Sequence, residues 1–335
     1  MNIHVILDPK LGPERLRELG VLAERVGIEG VWTSSLLGGR DPFVAFVPLA
    51  IAAKTLRMGP IAVNPFDTHP TRTAAALLTL NEMARGRAQI VIGGGAEALA
   101  GLNINPARRV RAVRECVALL RQGASGVTAD FSGELYHARR FGCEWVSVAP
   151  PTIWVAANAP QMLAMAAEVA DGIMMSDLPQ PLLGSAVAQA NRVRADLDVS
   201  LPPLQFSNFV AWHVYADAGK ARAEARRWLA YRGISRRWVC ATFMSHEEFN
   251  LIEAHMPDFY RFAHGGAEIE GVPERLLDRL VDHLTLTATP RHLDPVLEHL
   301  SELRDAGLTS IALRLYEDVE QSLALIGERI VPLFS

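Results

Sequence analysis

The chain is poor in the features that announce a metal, a disulfide or a membrane. Its 335 residues hold three cysteines, Cys116, Cys143 and Cys240, far apart in sequence. With no C-x-x-C pair among them, a disulfide framework and a zinc site are both disfavoured, and a reducing cytoplasm is the expected compartment. The ten histidines show neither H-x-H nor H-E-x-x-H spacing, so no metal site is expected. No apolar run reaches the length of a membrane span, and the N-terminus lacks the basic and apolar segments of a signal peptide. Neither sign of charge dominates. A formal charge of -4 and a pI near 6.2 give no reason to expect a nucleic-acid or membrane-surface partner. No internal repeat or low-complexity stretch stands out.

What the chain has in quantity is apolar residues, 50% of the total against 21% charged, enough for a large core. They fall in alternating patterns. Strand-like runs at 3–7, 30–33, 58–63, 89–92, 153–157, 172–176, 204–215 and 310–315 alternate with helical patterns at 13–27, 42–54, 71–83, 106–120, 160–170, 182–197 and 319–330. That alternation is the signature of βα units and a parallel sheet. In the first helix Leu16, Leu19, Leu22 and Ala23 share a face, and Gly27 closes it.

Two stretches break the rhythm. Residues 127–140 alternate about a turn at Gly133, which predicts an antiparallel hairpin outside the barrel. The stretch from 216 to 309 is too long for one crossover. Its patterns at 218–231, 246–264 and 273–283 predict extra helices, and 291–306 the crossover helix. An insertion there shapes the mouth of an active site. The predicted fold is therefore α/β, a (β/α)8 TIM barrel formed as a single domain over 1–335. It carries a hairpin insertion after helix four and a helical insertion between strands seven and eight, at 124–150 and 216–290. An open doubly wound sheet is the alternative, and the lack of G-x-G-x-x-G after strand one weighs against it.

Several stretches carry a resemblance. They are Glu24-Arg-Val-Gly-Ile-Glu-Gly-Val-Trp32 with Arg40-Asp41, Gly59-Pro-Ile-Ala-Val-Asn-Pro-Phe-Asp-Thr-His-Pro70, Ala84-Arg-Gly-Arg-Ala-Gln-Ile-Val-Ile-Gly-Gly-Gly95, Trp154-Val-Ala-Ala-Asn-Ala-Pro160 and Ala170-Asp-Gly-Ile-Met-Met-Ser176. In order and spacing the chain resembles the bacterial luciferase-like superfamily of flavin and deazaflavin enzymes. It is most similar to reductases of the methylenetetrahydromethanopterin type that use coenzyme F-420. The resemblance implies a barrel that binds the cofactor at the C-terminal ends of its strands. It also implies a non-prolyl cis peptide after strand three that buttresses the ring, which carried over falls at Ala62-Val63, beside Asn64. A homodimer is implied in the same way.

Gly94 and Gly95, in the glycine run after strand four, let a ring or ribityl chain approach the main chain closely. Ala156, Ala157, Asn158, Ala159 and Pro160 lead into helix five, whose free N–H groups suit a phosphate. Ser176 offers a hydroxyl to the same anionic tail, or caps a helix. The reductases carry a glutamate and an aspartate where this chain has Ile6 and Ala96, and the Asp-His pair common after strand two is replaced by Ser35 and Leu36. The substrate is therefore expected to differ from a pterin. Glu97 is the first candidate to handle a proton and Asp8 the second, with His69 also near a strand end. Two basic clusters, Arg108, Arg109, Arg111 and Arg114, and Arg232, Arg236 and Arg237, read either as solvated faces or as steering for an acidic group. Aromatics in the second insertion, among them Trp228 and Tyr231, read as local core that could also line a pocket.

Together these residues predict a coenzyme F-420-dependent oxidoreductase. It would transfer a hydride between the deazaflavin and a small-molecule or modified-peptide substrate, reducing a C=C or C=N bond. The alternatives are a monooxygenase using flavin mononucleotide (FMN) and a non-catalytic flavin-binding member.

Overall fold

Strands buried on both faces pair in parallel, because a helix covers the outside while side chains fill the inside. The computed structural model describes residues 1–95, 97–197 and 201–334, with the backbone alone for Glu97 and Ala98. Its strands are β1 (Asn2–Leu7), β2 (Gly30–Ser34), β3 (Arg57–Ile61), β4 (Gln89–Ile92), β5 (Ala129–Ser132), β6 (His137–Phe141), β7 (Thr152–Ala156), β8 (Gly172–Ser176), β9 (Gln205–Val214), β10 (Thr285–Ala288) and β11 (Ser310–Leu315). Eight of them run parallel in the order β3-β2-β1-β11-β9-β8-β7-β4. The seam between β3 and β4 closes through bridges at Met58 with Ala88 and at Val63 with Ile92. Val63 donates its N–H to Val91 (3.0 Å) and accepts from Gly93 (2.8 Å). The result is the expected eight-stranded α/β barrel. Among the described residues no helix is long and apolar enough to cross a membrane.

The barrel is filled, not hollow. Ile6, Trp32, Ile61, Val91, Trp154, Met174 and Ala312 form one internal cluster, with Ala62, Ala156 and Phe209 packed against it. The Trp32 and Trp154 rings meet edge to face at 6.3 Å. Gly172 makes room for Trp154, since a Cβ there would lie 2.4 Å from the indole. Below them His4 Nδ1 accepts from Trp32 Nε1 at 3.0 Å. Burial, with a smaller push from Arg57, holds the His4 imidazole down to about 3.

The hairpin β5–β6 lies outside this ring. Its turn is held by Glu115, whose carboxylate accepts from the N–H groups of Glu134, Leu135 and Tyr136 at 2.8, 3.0 and 3.0 Å. Burial pushes the Glu115 carboxyl up, but these three donors outweigh it and hold the group below its ordinary value. Tyr136 donates its hydroxyl to the Pro65 carbonyl (2.7 Å), which ties the hairpin to the turn after β3.

Three features depart from the sequence expectation. The helix expected over 42–54 is two, Pro42–Ala45 and Val47–Ala52, because Pro48 lacks an N–H and crowds the preceding turn. That expected over 246–264 breaks likewise before Pro257, into His246–Ala254 and Met256–Ala263. The third is β10. It pairs with Ala211–Val214 along the edge of β9 that β8 leaves after Phe209. Thr-Leu-Thr-Ala is too short and mixed to read as a strand until a free edge receives it.

Candidate active site at the barrel mouth

At the C-terminal ends of β3, β4 and β7 the inward positions are held by very small residues. A Cβ built on Gly93 would stand 3.3 Å from Ala62 Cβ and 3.6 Å from Ala156 Cβ, so the three positions adjoin. They lie on the layer of Trp32, Trp154, Ile61 and Val91. At these three positions the apolar floor of the mouth has nothing taller than a methyl group, with the Phe209 ring packed on the same layer.

The cis peptide is Ile61–Ala62, one bond earlier than Ala62–Val63. Both backbone groups of Val63 lie in the ladder to β4, and its side chain packs in the outer core while Ala62 faces the inside. Asn64 folds the turn that follows. Its Oδ1 accepts from Phe66 (2.9 Å) and Asp67 (3.2 Å), and its Nδ2 donates to Asp67 Oδ2 (2.7 Å). Gly95 has φ +62, and a Cβ there would lie 2.3 Å from Leu99.

From Gly94 a cationic groove leads outward. A Cβ on Gly94 would touch Arg109 Cδ (3.4 Å) and Met162 Cε (3.6 Å). Beyond lies a cavity of about 540 Å³ lined by Arg108, Arg109, Arg111, Arg114 and Gln161. Two helices start there, Arg109–Ala124 and Pro160–Val169, and neither has a side-chain cap, so their first N–H groups are open to an anion. Arg108 and Arg111 share Glu134, and Arg114 pairs with Glu168. Arg109 is exposed and has no ion-pair partner among the described residues, so it is free to meet water or an anion.

On the next strand ends, Asn158 accepts from the Ser176 N–H (3.0 Å) and donates to Ser176 Oγ (3.2 Å), which locks β7 to β8. The N–H of Ala157 donates to Met174 O (3.1 Å), and its methyl belongs to the outer core. Ala159 and Pro160 are the first residues of the uncapped helix. Ser176 also meets Arg236, which donates to its carbonyl (2.6 Å) and hydroxyl (3.2 Å).

The proton candidates scatter. Asp8 is half-exposed; its Oδ1 accepts from the Lys10 N–H (2.7 Å) and its Oδ2 lies 3.5 Å from Arg314. Glu97 opens the short helix Glu97–Gly101 just beyond the glycines, and its side chain lies outside the described residues, as does Ala96. His69 caps the helix Pro70–Met83, accepting from the Thr71 N–H (3.3 Å). At the rim Leu36 and Leu37 are both exposed.

Sequence reasoning missed the opposite wall. Asp177, buried at the end of β8, takes Arg236 on Oδ2 (3.1 Å) and Arg232 on Oδ1 (3.4 Å). Burial pushes its carboxyl up against the pull of both guanidiniums. Arg232 also lies over the Phe209 ring at 4.7 Å. Arg237 turns outward to Glu253 (2.8 Å), so the two readings of that basic cluster divide within it. Arg314, on β11, is buried beside them. An arginine at an alternate position of an otherwise apolar strand was the available signal.

The chain matches the luciferase-like monooxygenase family over residues 2–310. It is 26% identical over 325 residues to a 5,10-methylenetetrahydromethanopterin reductase of Archaeoglobus fulgidus, covering 93% of each. The solved coenzyme F-420-dependent tetrahydromethanopterin reductase of Methanopyrus kandleri superposes with a TM-score of 0.83 at 19% identity, over 100% of this chain and 99% of that one. A coenzyme F-420-dependent secondary alcohol dehydrogenase superposes with a TM-score of 0.79 at 15% identity, over 100% and 99%. At such identities the superpositions speak for the fold. The matched span, with the barrel it encloses, makes this chain a member of the luciferase-like monooxygenase family.

Proposed function

We propose that the chain is a coenzyme F-420-dependent oxidoreductase that moves a hydride between the deazaflavin and an organic substrate, reducing a C=C or C=N bond. The observation that carries this reading is the floor of Ala62, Gly93 and Ala156 opening directly onto the arginine groove. A planar ring needs a surface without tall side chains, and an acidic tail needs several cations in a row. The named cofactor of both superposed relatives supports the same reading.

Bound there, the deazaflavin would supply the hydride chemistry. The chain's own part is to seat the ring, hold its tail at Arg109 and the two open helix starts, and keep water from the floor through the tryptophan layer beneath. Glu97 is the first residue to test as proton handler, since Asp8 is already engaged by Lys10 and Arg314. Reduction is the favoured direction because Ser35 and Leu36 offer no base to an alcohol.

The second reading is an FMN-dependent monooxygenase, and the family's description names a monooxygenase. FMN carries one phosphate, and a groove of about 540 Å³ with Arg109, unpaired among the described residues, between two uncapped helix starts has room for a longer acidic tail. Fluorescence titration of the purified chain with each cofactor decides. Binding of coenzyme F-420 in preference to FMN is expected. FMN binding with substrate-dependent oxygen uptake, and no deazaflavin binding, would overturn the proposal.

We also propose a homodimer in the cytoplasm. Its contact face would carry Val44, Ile51 and Met83, exposed by 66%, 67% and 39%, partly beside a groove of about 270 Å³. The three buried, unpaired cysteines suit a reducing compartment. Light scattering should give twice the chain mass, and a monomer in V44E/I51E; a monomeric parent chain would refute the dimer.

A further inference from the structure

In the ring of eight strands β11 stands opposite β4, so its C-terminal end faces the glycine floor across the mouth. The inward positions of β11 are Ala312, in the internal cluster, and then Arg314, which is only 9% exposed. One terminal nitrogen of Arg314, Nη1, is buried with no hydrogen-bond partner among the described residues. The other reaches Asp8 Oδ2 at 3.5 Å, the outer limit of a hydrogen bond. The guanidinium is nonetheless fixed in place. It lies 5.1 Å from the ring of Tyr316, whose hydroxyl it also meets, and that ring stacks on His213 at 4.8 Å and on Trp228 at 5.1 Å. A guanidinium N–H left without a partner inside a folded chain is costly unless water, an ion or a ligand completes it.

The charges around it do not complete it. Both oxygens of Asp177 are engaged by Arg232 and Arg236. Asp177 is thus taken, and among the described side chains the carboxylate that Arg314 meets is Asp8, half-exposed at the rim. An anion entering on the wall opposite the floor would meet the free side of Arg314.

We propose that Arg314 anchors a carboxylate of the substrate, so that the mouth selects organic acids whose reducible bond lies between Arg314 and the floor at Gly93. The planar fork of arginine matches the two oxygens of a carboxylate. The proposal rests on the barrel mouth being the reaction site, and not on which flavin-type cofactor occupies the floor.

Calorimetric titration of the full chain with crotonate, cinnamate and benzoate, each beside its amide, tests it, with inorganic phosphate as a further arm. At least one acid should bind, with its amide weaker by about tenfold or more. R314M should weaken the acid by a similar factor while binding coenzyme F-420 as the parent does, R314K should fall between, and the outward-facing R237M should change nothing. Should R314M not fold, the comparison of acid with amide on the parent chain decides alone. The anchor is refuted if amides bind as well as acids, if phosphate binds in preference to every acid, or if R314M binds acids like the parent. Arg314-dependent acid binding without deazaflavin binding upholds the anchor and overturns the cofactor reading. Deazaflavin binding with no acid preference does the reverse.

Discussion

Gly59 lies so close to Gln89 that a Cβ on it would stand 1.6 Å from the Gln89 carbonyl oxygen. This contact is on the seam where β3 meets β4, the pair joined only by isolated bridges. The seam is also where the floor of the mouth begins. Gly59→Ala should therefore push the two strands apart. A loss of at least about 2 kcal/mol is expected in urea unfolding, and cofactor binding should fall with it. An alanine variant as stable as the parent would show that the seam yields freely.

His4 gives the fold an acid-sensitive component. Its imidazole is held down to about 3 in the folded chain, against about 6.5 when unfolded. A group depressed in this way contributes stability that is present above the unfolded value and is lost as the pH falls through the window down to the folded one. Below pH 6.5 the unfolding free energy should drop by up to about 1.4 kcal/mol per pH unit. Glu115 adds its own loss only below about 4.5, since its folded value is also lowered. Denaturation series at pH 7.5, 6.0 and 5.0 check this (approximate settings about the imidazole range). His4→Gln, which accepts from Trp32 without titrating, should flatten the upper part of the slope.

Asp177 is the buried carboxylate shared by Arg232 and Arg236. Asp177→Asn leaves both guanidiniums under-compensated and should cost about 3–5 kcal/mol. Removing one of them as well, in D177N/R236M, should recover part of that loss. If the double variant is less stable than the sum of its singles predicts, the three residues are not a charge-balanced unit.

Ala156 tests the floor directly. A leucine there would rise into the space above Gly93, 3.6 Å from the neighbouring Cβ position. Ala156→Leu should weaken binding of the deazaflavin by about a hundredfold or more while the melting temperature shifts by only a few degrees. Unchanged affinity would remove the floor from the proposed site.

The barrel was largely legible because the period of its apolar runs, their punctuation by Pro and Gly, and their order are local properties. Pro48 and Pro257 were legible too, and the helices they divide could have been cut from the chain alone. β10 was not, since four residues become a strand only when β9 offers a free edge. The glycine run and Asn158 were readable as chemistry, but not the distances that join Ala62, Gly93 and Ala156 into one surface. Nor was the exact peptide that turns cis, which is Ile61–Ala62.

By itself, then, the sequence determined an alternating α/β chain that closes as a barrel, where its insertions leave it, and where glycine permits a ligand to approach. Only the tertiary structure decided which charges are enclosed. Arg232, Arg236 and Arg237 are near neighbours in the chain, yet two enter the mouth and one faces solvent. Asp8 and Arg314 lie at opposite ends of the chain and meet because β1 pairs with β11. Burial, and with it the strength of a charge, is set by what long-range pairing places around a residue, and that is not written in its neighbours along the chain.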